Sequence, residues 1–293
     1  MRVDIVIATY NRAEILKKTI ENVLESAHGF GKLYVVDNAS TDNTRAVLES
    51  FVDDRLITVF NDQNLGAAGG KNAGLRMSTS DIVVVIDDDA VFASDNPIEE
   101  VVRIFESDEH LGLIQFKIIN YQTGKVLRYE FPGDHPDIDQ NNSFNIGYFI
   151  GAGHAIRKSM LERVGYYPDD FGLYAHEEVD LSYRAINHGY TMRYEPSVAV
   201  LHKKAPGGRM PANAVLHQLL LNRMIMSRKY LPRRYALVNN FLWIAKTLFN
   251  SRSPFLIVVV LREYIMKKAS IIPDVLTHQA LHYMKQYNGR LFR

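Results

Sequence analysis

Short apolar runs alternate with amphipathic segments along the first third of the chain. Apolar runs rich in β-branched residues predict strands at residues 3–8, 33–36, 56–60 and 82–86. Apolar residues at helical spacing between those runs predict helices at residues 14–26, 44–52 and 70–77. This order predicts an α/β fold whose mostly parallel sheet is flanked by helices. Ligands of such sheets bind beyond the carboxyl ends of the strands.

The rest of the chain changes character twice. Runs at residues 113–119, 126–129 and 198–201 predict further strands, and residues 179–187 predict a helix. Proline and glycine cluster at residues 206–211, after which helical patterns continue, most clearly at residues 236–249 and 255–267. We therefore expect a first domain at residues 1–205, with halves 1–111 and 112–205, and a helical C-terminal extension at residues 206–293.

Composition and charge exclude several classes of protein. Of the 293 residues, 47% are hydrophobic and 23% are charged, which is typical of a globular chain. A net charge of +1 argues against a nucleic-acid partner. The absence of cysteine excludes disulfides, thiolate metal sites and a cysteine nucleophile. Because the chain starts directly in a strand-like run, and its longest apolar run covers only residues 255–261, we expect a cytoplasmic protein, either soluble or at a membrane surface.

The C-terminal extension is both basic and apolar. Its predicted helices combine many Leu, Met and Ile residues with lysines and arginines. Such helices can lie peripherally in an anionic membrane surface, here the inner face of the cell membrane. They can equally form a cap packed on the first domain or the interface of a homo-oligomer, and the pattern leaves these alternatives open.

Three consecutive carboxylates follow the apolar run at residues 82–86. Asp87, Asp88 and Asp89 would repel one another at a strand end unless a cation or a proton compensates their charge. Carboxylate oxygens suit Mg²⁺ or Mn²⁺, and Mg²⁺ commonly shares its shell with substrate phosphates. A solvated acidic turn or a helix cap is the alternative for such a cluster, but its place after a buried strand favours a metal site.

Five motifs in a fixed order carry a family resemblance. They are Ala8-Thr9-Tyr10-Asn11-Arg12, Val36-Asp37-Asn38-Ala39-Ser40-Thr41-Asp42, Asn64-Leu65-Gly66 through Lys71-Asn72-Ala73-Gly74, Ile86-Asp87-Asp88-Asp89, and Glu177-Glu178-Val179-Asp180-Leu181 with the later His202. Over about residues 1–204 the chain resembles the inverting glycosyltransferases of family 2, which have the GT-A fold. The rhamnosyltransferase and galactofuranosyltransferase branches are the most similar.

The resemblance implies a nucleotide-diphospho-sugar donor held by a divalent cation, Mn²⁺ or Mg²⁺. Asp87 and Asp89 would be carboxylate ligands of that cation, and His202 would be a third ligand. Asp88 would contact the sugar or the ribose, or would only support the turn. The cation would neutralise the diphosphate and so make it a competent leaving group.

Candidate donor contacts follow the first three strands and the glycine-rich segment. A carboxylate at Asp37 can accept a hydrogen bond from the imide N–H of uracil or thymine, which favours a UDP- or dTDP-sugar, although an Asx turn also explains this aspartate. The candidates that lie in these loops are Thr9, Asn11, Arg12, Asn38, Gly66 and Lys71. Lys71 is the cation among them that is suited to phosphate.

Acidic residues at positions 177–180 supply the candidates for acid–base chemistry. The reaction needs one carboxylate to deprotonate the acceptor hydroxyl. The family resemblance places the base second in the acidic pair, at Glu178, with Glu177 as its competitor. Asp180 would organise the site or pair with Arg184 one helical turn later.

Taken together, the residues and the resemblance predict an inverting glycosyltransferase of bacterial-type surface polysaccharide synthesis. UDP-galactofuranose and dTDP-rhamnose are the leading donors, and a saccharide or lipid-linked saccharide is the acceptor. A nucleotidyltransferase is an alternative, although such enzymes carry a glycine-rich basic loop after the first strand, where this chain has Thr9-Tyr10-Asn11-Arg12. A non-catalytic nucleotide- or sugar-binding module is a second alternative, and the intact acidic motifs argue against it.

Overall fold

A computed structural model describes residues 1–132, 138–204 and 210–291. Its first part is a strand–helix alternation close to the one that the pattern predicts. The strands are β1 (Val3–Thr9), β2 (Leu33–Asp37), β3 (Leu56–Phe60) and β4 (Ile82–Ile86). The helices between them are α1 (Ala13–Ser26), α2 (Thr44–Glu49) and α3 (Gly66–Met77). These four strands pair in parallel in the order β3-β2-β1-β4, so their polar carboxyl ends meet at one edge.

The second part extends this sheet with strands of both directions. It contains β5 (Ala90–Phe92), α4 (Pro97–Glu106), β6 (Leu111–Asn120), β7 (Phe144–Asn145), β8 (Gly153–Arg157), α5 (Lys158–Val164), α6 (Glu177–Asn187) and β9 (Thr191–His202). The sheet order is β3-β2-β1-β4-β8-β6-β9-β5, with β7 paired to β9. β8 runs antiparallel to β4 and β6, whereas β6 and β9 are parallel, so the sheet is mixed beyond β4. The α/β class predicted from the pattern is confirmed.

One predicted strand is wrong, and its replacement matters for the site. Residues 126–129 were expected to form a strand, but the chain instead makes a 3₁₀ turn at Arg128–Glu130. This turn directs the Glu130 side chain inward, where it is 3% exposed and bonded to His202.

Four helices form the C-terminal region, as its composition suggested. They are α7 (Ala212–Tyr230), α8 (Arg233–Ser251), α9 (Pro254–Lys267) and α10 (His278–Gln286). Residues of α7 and α10, among them Met224 and Met284, share one hydrophobic cluster with Val85 of β4 and Leu181 of α6. The predicted boundary at residues 205 and 206 lies outside the described residues. Over the parts of the chain that the structure describes, no helix is both long and apolar enough to cross a membrane.

Burial explains why the central strands hold the site rigidly. All five residues of β4 are fully buried, because helices cover both faces of the sheet there. β4 lies between β1 and β8 and ends directly at Asp87. The acidic turn is therefore fixed to a fully buried strand.

Candidate active site

Two carboxylates and a histidine converge at the end of β4. β5 pairs with β9 so that Ala90 lies opposite His202, which brings His202 beside the acidic turn. The ligand atoms of Asp87, Asp89 and His202 all lie within 4.8 Å of one another, and His202 Nε2 is 3.2 Å from Asp89 Oδ1. Two carboxylate oxygens and an imidazole nitrogen at these separations form a donor set that suits Mn²⁺ or Mg²⁺. The predicted metal ligands therefore lie together, and their chemistry fits a divalent cation.

A glutamate that the sequence did not single out holds the histidine of this cluster. Glu130 Oε1 lies 2.6 Å from His202 Nδ1 and 3.2 Å from Lys204 Nζ. An imidazole that ligates a metal through one nitrogen commonly donates the other N–H to a carboxylate, which fixes the orientation of the ring. Nothing in a single sequence links Glu130 to His202, because 72 residues separate them.

Asp88 turns away from the cluster and supports the first loop. Thr9 Oγ1 donates to Asp88 Oδ2 at 2.7 Å, and Arg12 Nη1 donates to Asp88 Oδ1 at 2.6 Å. Arg12 also lies 3.3 Å from Asp89 Oδ2. Burial raises the pKa of Asp88 to about 6 although Arg12 opposes that shift. Of the two roles considered for Asp88, its contacts are those of a residue that supports the turn.

The candidate nucleotide pocket is bounded by loops that bind one another. Asn38 Nδ2 donates to Asn64 Oδ1 and to the carbonyl of Gly66, both at 2.9 Å, while its Oδ1 accepts from Asn61 and Leu65. Asn11 Oδ1 accepts from the backbone N–H of Thr41 at 2.7 Å. These amides join the loops after β1, β2 and β3 and so form the framework of the pocket.

Asp37 directly precedes Asn38 of this framework. It is the last residue of β2 and is 4% exposed. Its Oδ1 accepts from the backbone N–H of Ser40 at 2.9 Å, so the Asx-turn contact considered for it is present. This contact engages one of the two carboxylate oxygens.

The start of α3 lies at the same edge of the sheet, next to Asn38. Gly66 has φ +74°, and a Cβ at this position would lie 2.5 Å from Leu173 Cα, so only glycine fits there. Lys71, one helical turn further, is 6% exposed, and its Nζ lies 3.6 Å from Asp87 Oδ1. Burial lowers the pKa of Lys71, but the carboxylates of Asp87 and Glu178 outweigh burial and keep that pKa above its usual range.

The acidic pair at the start of α6 faces this lysine. A Cβ at Gly151 would lie 2.2 Å from Glu178 Oε1 and 3.1 Å from Lys71 Nζ, so both charged groups border the same glycine. Glu178 is half-buried, whereas Glu177 is 3% exposed. Burial raises the pKa of both carboxyl groups, and Lys71 opposes the shift. Glu178 is thus the more accessible carboxylate of the pair and lies close to the metal cluster.

Asp180 has a different environment from the pair before it. Arg184 Nε donates to Asp180 Oδ2 at 2.7 Å, which is the pairing one turn apart that the sequence suggested. The hydroxyl of Tyr230 donates to Asp180 Oδ1 at 2.5 Å, and the side chain of Asp180 is fully buried. These contacts make Asp180 a link between α6 and α7.

The loop that leads into α6 has unusual backbone geometry. Ala175 and His176 have φ of +86° and +69°, a conformation that costs about 1–3 kcal/mol for a residue other than glycine. Asn222 of α7 holds this loop, because its Nδ2 lies within 3.1 Å of the carbonyls of Phe171, Tyr174 and Ala175. This contact joins the C-terminal region to the loop before the acidic pair, and no pattern in the sequence predicts it.

Comparison with known proteins shows which family the chain matches. The family described as "Glycosyl transferase family 2" matches residues 4–165, which is more than half of the chain. A poly-beta-1,6-N-acetyl-D-glucosamine synthase of Staphylococcus aureus is 25% identical over 197 residues, which cover 65% of this chain and 47% of that protein. The chain thus spans about half the length of this relative.

Two solved structures share the fold. The mannosyltransferase PcManGT of Pyrobaculum calidifontis, in complex with GDP-mannose and Mn²⁺, is 20% identical and has a TM-score of 0.58, covering 99% of this chain and 75% of its own. Residues 1–349 of S. aureus TarS, in complex with UDP-GlcNAc, are 13% identical with a TM-score of 0.60, covering 100% of this chain and 89% of their own. At these identities the likeness concerns the fold alone.

Proposed function

Since this chain belongs to glycosyl transferase family 2 and is a glycosyltransferase of the GT-A fold, we propose that it transfers a sugar from a UDP- or dTDP-sugar to a saccharide acceptor with inversion at the anomeric carbon. The observation that carries this proposal is the convergence of Asp87, Asp89 and His202 beside Lys71 and Glu178 at the carboxyl edge of the sheet. That arrangement provides a cation site for a diphosphate and, beside it, a carboxylate for an acceptor hydroxyl.

The residues divide the reaction between them. Glu178 takes the proton of the acceptor hydroxyl while the acceptor oxygen forms the new bond to the anomeric carbon. The bond from that carbon to the diphosphate oxygen breaks, and the nucleoside diphosphate leaves. Asp87, Asp89 and His202 would hold a divalent cation, Mn²⁺ or Mg²⁺, which supplies the positive charge that stabilises this leaving group. Glu177 is the buried member of the acidic pair and supports Glu178. Asp180 holds α6 against α7.

The donor pocket follows from the same edge of the sheet. Lys71 meets the diphosphate, and Asp37 accepts the imide N–H of the base. Thr9, Asn11, Arg12, Asn38, Gly66 and Asp88 shape the pocket by holding its loops. UDP-galactofuranose and dTDP-rhamnose are the donors that we favour, because the acidic turn and His202 resemble those branches of the family.

Asp37→Ala is expected to reduce the preference for uracil or thymine nucleotides, because it removes the acceptor for the imide N–H. Wild-type protein would be incubated with Mn²⁺ and a panel of UDP-, dTDP-, GDP- and ADP-sugars, and transfer or hydrolysis would be scored. Affinities of UDP and GDP would then be compared by calorimetry, and we expect the wild-type ratio to fall by about tenfold, or 1.4 kcal/mol.

Asp62→Ala is the matched control, since Asp62 is an exposed aspartate two residues beyond β3 on the same edge. It should leave the ratio unchanged. A wild-type protein that prefers GDP, or turns over only GDP-sugars, would show that the assignment of Asp37 is wrong.

The acceptor that we propose is a saccharide or lipid-linked saccharide of surface polysaccharide synthesis. The relative from S. aureus, whose name states a polysaccharide synthase, supports this class of acceptor. A lipid-linked acceptor places the reaction at the inner face of the cell membrane. In this proposal residues 1–111 form the half that binds the donor, and residues 112–205 form the acceptor and catalytic half. Residues 206–293 form a helical region that packs on the first domain through α7 and α10 and contacts the membrane with its exposed face.

An apolar ridge on α8 and α9 supports this peripheral contact. The ridge consists of the exposed side chains of Leu237, Phe241, Leu248, Phe249, Phe255, Val258 and Met266. Residues 206–293 carry 14 Lys and Arg but only two Asp and Glu, whereas residues 1–205 carry 20 and 31. Exposed apolar side chains in a region rich in cations fit an anionic lipid surface, into which the aromatic rings insert while cations meet the headgroups.

Placing a charge on the ridge should weaken this contact. Phe249 and Phe255 are 82% and 76% exposed, and burying each ring in the membrane contributes about 1.5–3 kcal/mol. The double change Phe249→Asp and Phe255→Asp is therefore expected to lower binding to anionic vesicles more than tenfold, measured by co-sedimentation with phosphatidylglycerol vesicles.

Val52→Asp provides the control, because Val52 is fully exposed but lies in the first domain. It should bind vesicles like the wild type. Equal binding of the double variant would contradict the proposal. A concentration-dependent dimer that dissociates in the double variant would assign the ridge to a homo-oligomer instead.

A further inference from the structure

Three basic residues from separate parts of the C-terminal region lie close together, and two of them lie against the same aromatic ring. Arg223 lies on α7 and Lys246 on α8, and their charged groups are 5.6 Å and 4.4 Å from the centre of the Trp243 ring. Arg290 follows α10, and its carbonyl accepts a hydrogen bond from Arg223 Nη2. We call Arg223, Lys246 and Arg290 the cationic cluster.

The charges of this cluster are not directly paired with carboxylates in the described part of the chain. Over residues 1–132, 138–204 and 210–291, none of its three members forms an ion pair with a carboxylate. Arg223 is 1% exposed, and its Nη1 has no hydrogen-bond partner. Burial and the neighbouring Arg290 lower the pKa of Lys246, and burial lowers that of Arg223. Arg223 Nε donates to Asn239 Oδ1 at 3.0 Å, and Nη2 donates to the Arg290 carbonyl, so neutral oxygens hold this guanidinium. A buried charge next to others of the same sign is costly unless an anion compensates it.

The cluster lies next to the acidic pair of the active site. The Trp243 ring packs edge-on against His176 at 5.2 Å, and His176 immediately precedes Glu177. The guanidinium of Arg290 lies 3.9 Å above the ring of Tyr148, three residues before the glycine that borders Glu178. Arg290 also opposes the effect of burial on the pKa of Glu178. Lys71 borders Glu178 as well and pairs with Asp87 of the metal cluster, so Glu178 lies near both Lys71 and the cationic cluster.

Only two of the three cations are accessible to a ligand. Lys246 is exposed and Arg290 is half-buried, whereas Arg223 lies behind them. Lys246 and Arg290 can therefore contact a bound group directly, and Arg223 adds a fixed charge at close range. A total charge of +3 matches a phosphate dianion or a diphosphate better than a single carboxylate.

We propose that the cationic cluster binds a phosphate group of the acceptor, so that this enzyme glycosylates a phosphate-bearing saccharide. The inference rests on the proposed function, because it assigns to the acceptor the side of Glu178 that faces away from the donor. The phosphate belongs either to the diphosphate of a lipid carrier or to the phosphodiester of a polyol phosphate polymer. The cluster recognises the chemistry that both share.

Phosphate binding tests the site without any knowledge of the donor or the acceptor saccharide. Calorimetry on the full chain in EDTA, which keeps divalent cations from the acidic turn, would measure binding of inorganic phosphate, pyrophosphate and glycerol 3-phosphate. Lys246→Gln and Arg290→Gln are each expected to weaken binding about tenfold, which corresponds to 1.4 kcal/mol. Lys246→Arg keeps the charge and should retain binding. Stronger binding of pyrophosphate would indicate a lipid diphosphate, and stronger binding of glycerol 3-phosphate a polyol phosphate polymer.

Arg163→Gln is the matched control, because Arg163 is an exposed arginine that also stacks on a tyrosine, at 5.8 Å from Tyr190. It should bind phosphate like the wild type. Equal losses in Arg163→Gln, or none in the cluster variants, would overturn the proposal. A loss of Mn²⁺-dependent UDP binding in Lys246→Gln would overturn it too, because the cluster would then serve the donor. Failure of the protein to act on any nucleotide sugar would instead count against the proposed function, since phosphate binding is measured separately.

Discussion

Glu178→Gln is expected to lower kcat about 10²–10⁴-fold, the usual contribution of a positioned general base. Glutamine keeps the shape of the side chain beside Gly151 but lacks an oxygen that can take the acceptor proton. Because a general base acts on the acceptor in the transition state, donor affinity and metal binding should stay near those of the wild type. Turnover at saturating acceptor, together with calorimetric donor binding, measures both quantities.

Glu177→Gln is the matched comparison, because Glu177 is the neighbouring glutamate on the same turn of α6 but is more deeply buried. Its kcat should fall less. If Glu177→Gln is inactive while Glu178→Gln still turns over, the two roles are exchanged and the base is the buried member of the pair.

Removal of the divalent cation should abolish transfer, and Asp89→Asn should act in the same direction. Asp89 is 1% exposed and lies within 4.8 Å of the ligand atoms of Asp87 and His202. Its replacement takes one negative charge from the donor set, so Mn²⁺ binding and metal-dependent UDP binding should both weaken by more than tenfold. Titration of Mn²⁺ by electron paramagnetic resonance gives a readout that does not depend on activity.

Asp95→Asn supplies the control for this change, because Asp95 is an exposed aspartate shortly after the acidic turn. It should leave Mn²⁺ and UDP binding unchanged. Full transfer activity of the wild type in EDTA would contradict the metal assignment, and so would unchanged Mn²⁺ binding in Asp89→Asn.

The pattern of the sequence predicted the first four strands and the meeting of their polar ends. These features are local or follow from parallel pairing, so the spacing of apolar residues is enough to place Asp37 and Asp87 at one edge. The position of His202 required more, because β9 reaches the acidic turn only through its pairing with β5. The family resemblance proposed that contact, and the structure brings the three groups together.

The sequence alone did not predict the residues that hold other site residues in place. Glu130 directly follows residues 126–129, whose pattern predicted a strand, but the 3₁₀ turn and the bond to His202 determine its conformation. Asn222 and Arg223 look like ordinary polar interruptions of an apolar helix. Their importance comes from long-range packing against the loop before α6 and the segment after α10, which helical spacing along α7 does not encode.

The hydrogen bonds from Asn222 to the loop before α6 limit how chimeras of this enzyme and its relatives can be built. A chimera that joins the first 204 residues to a foreign C-terminal region would leave the carbonyls of Phe171, Tyr174 and Ala175 without their donor. It would also remove Tyr230 from Asp180. The left-handed residues Ala175 and His176 would then relax toward commoner conformations and carry Glu177 and Glu178 with them. Exchange of specificity between such enzymes therefore has to move the loop at residues 171–176 and α7 as one inherited unit.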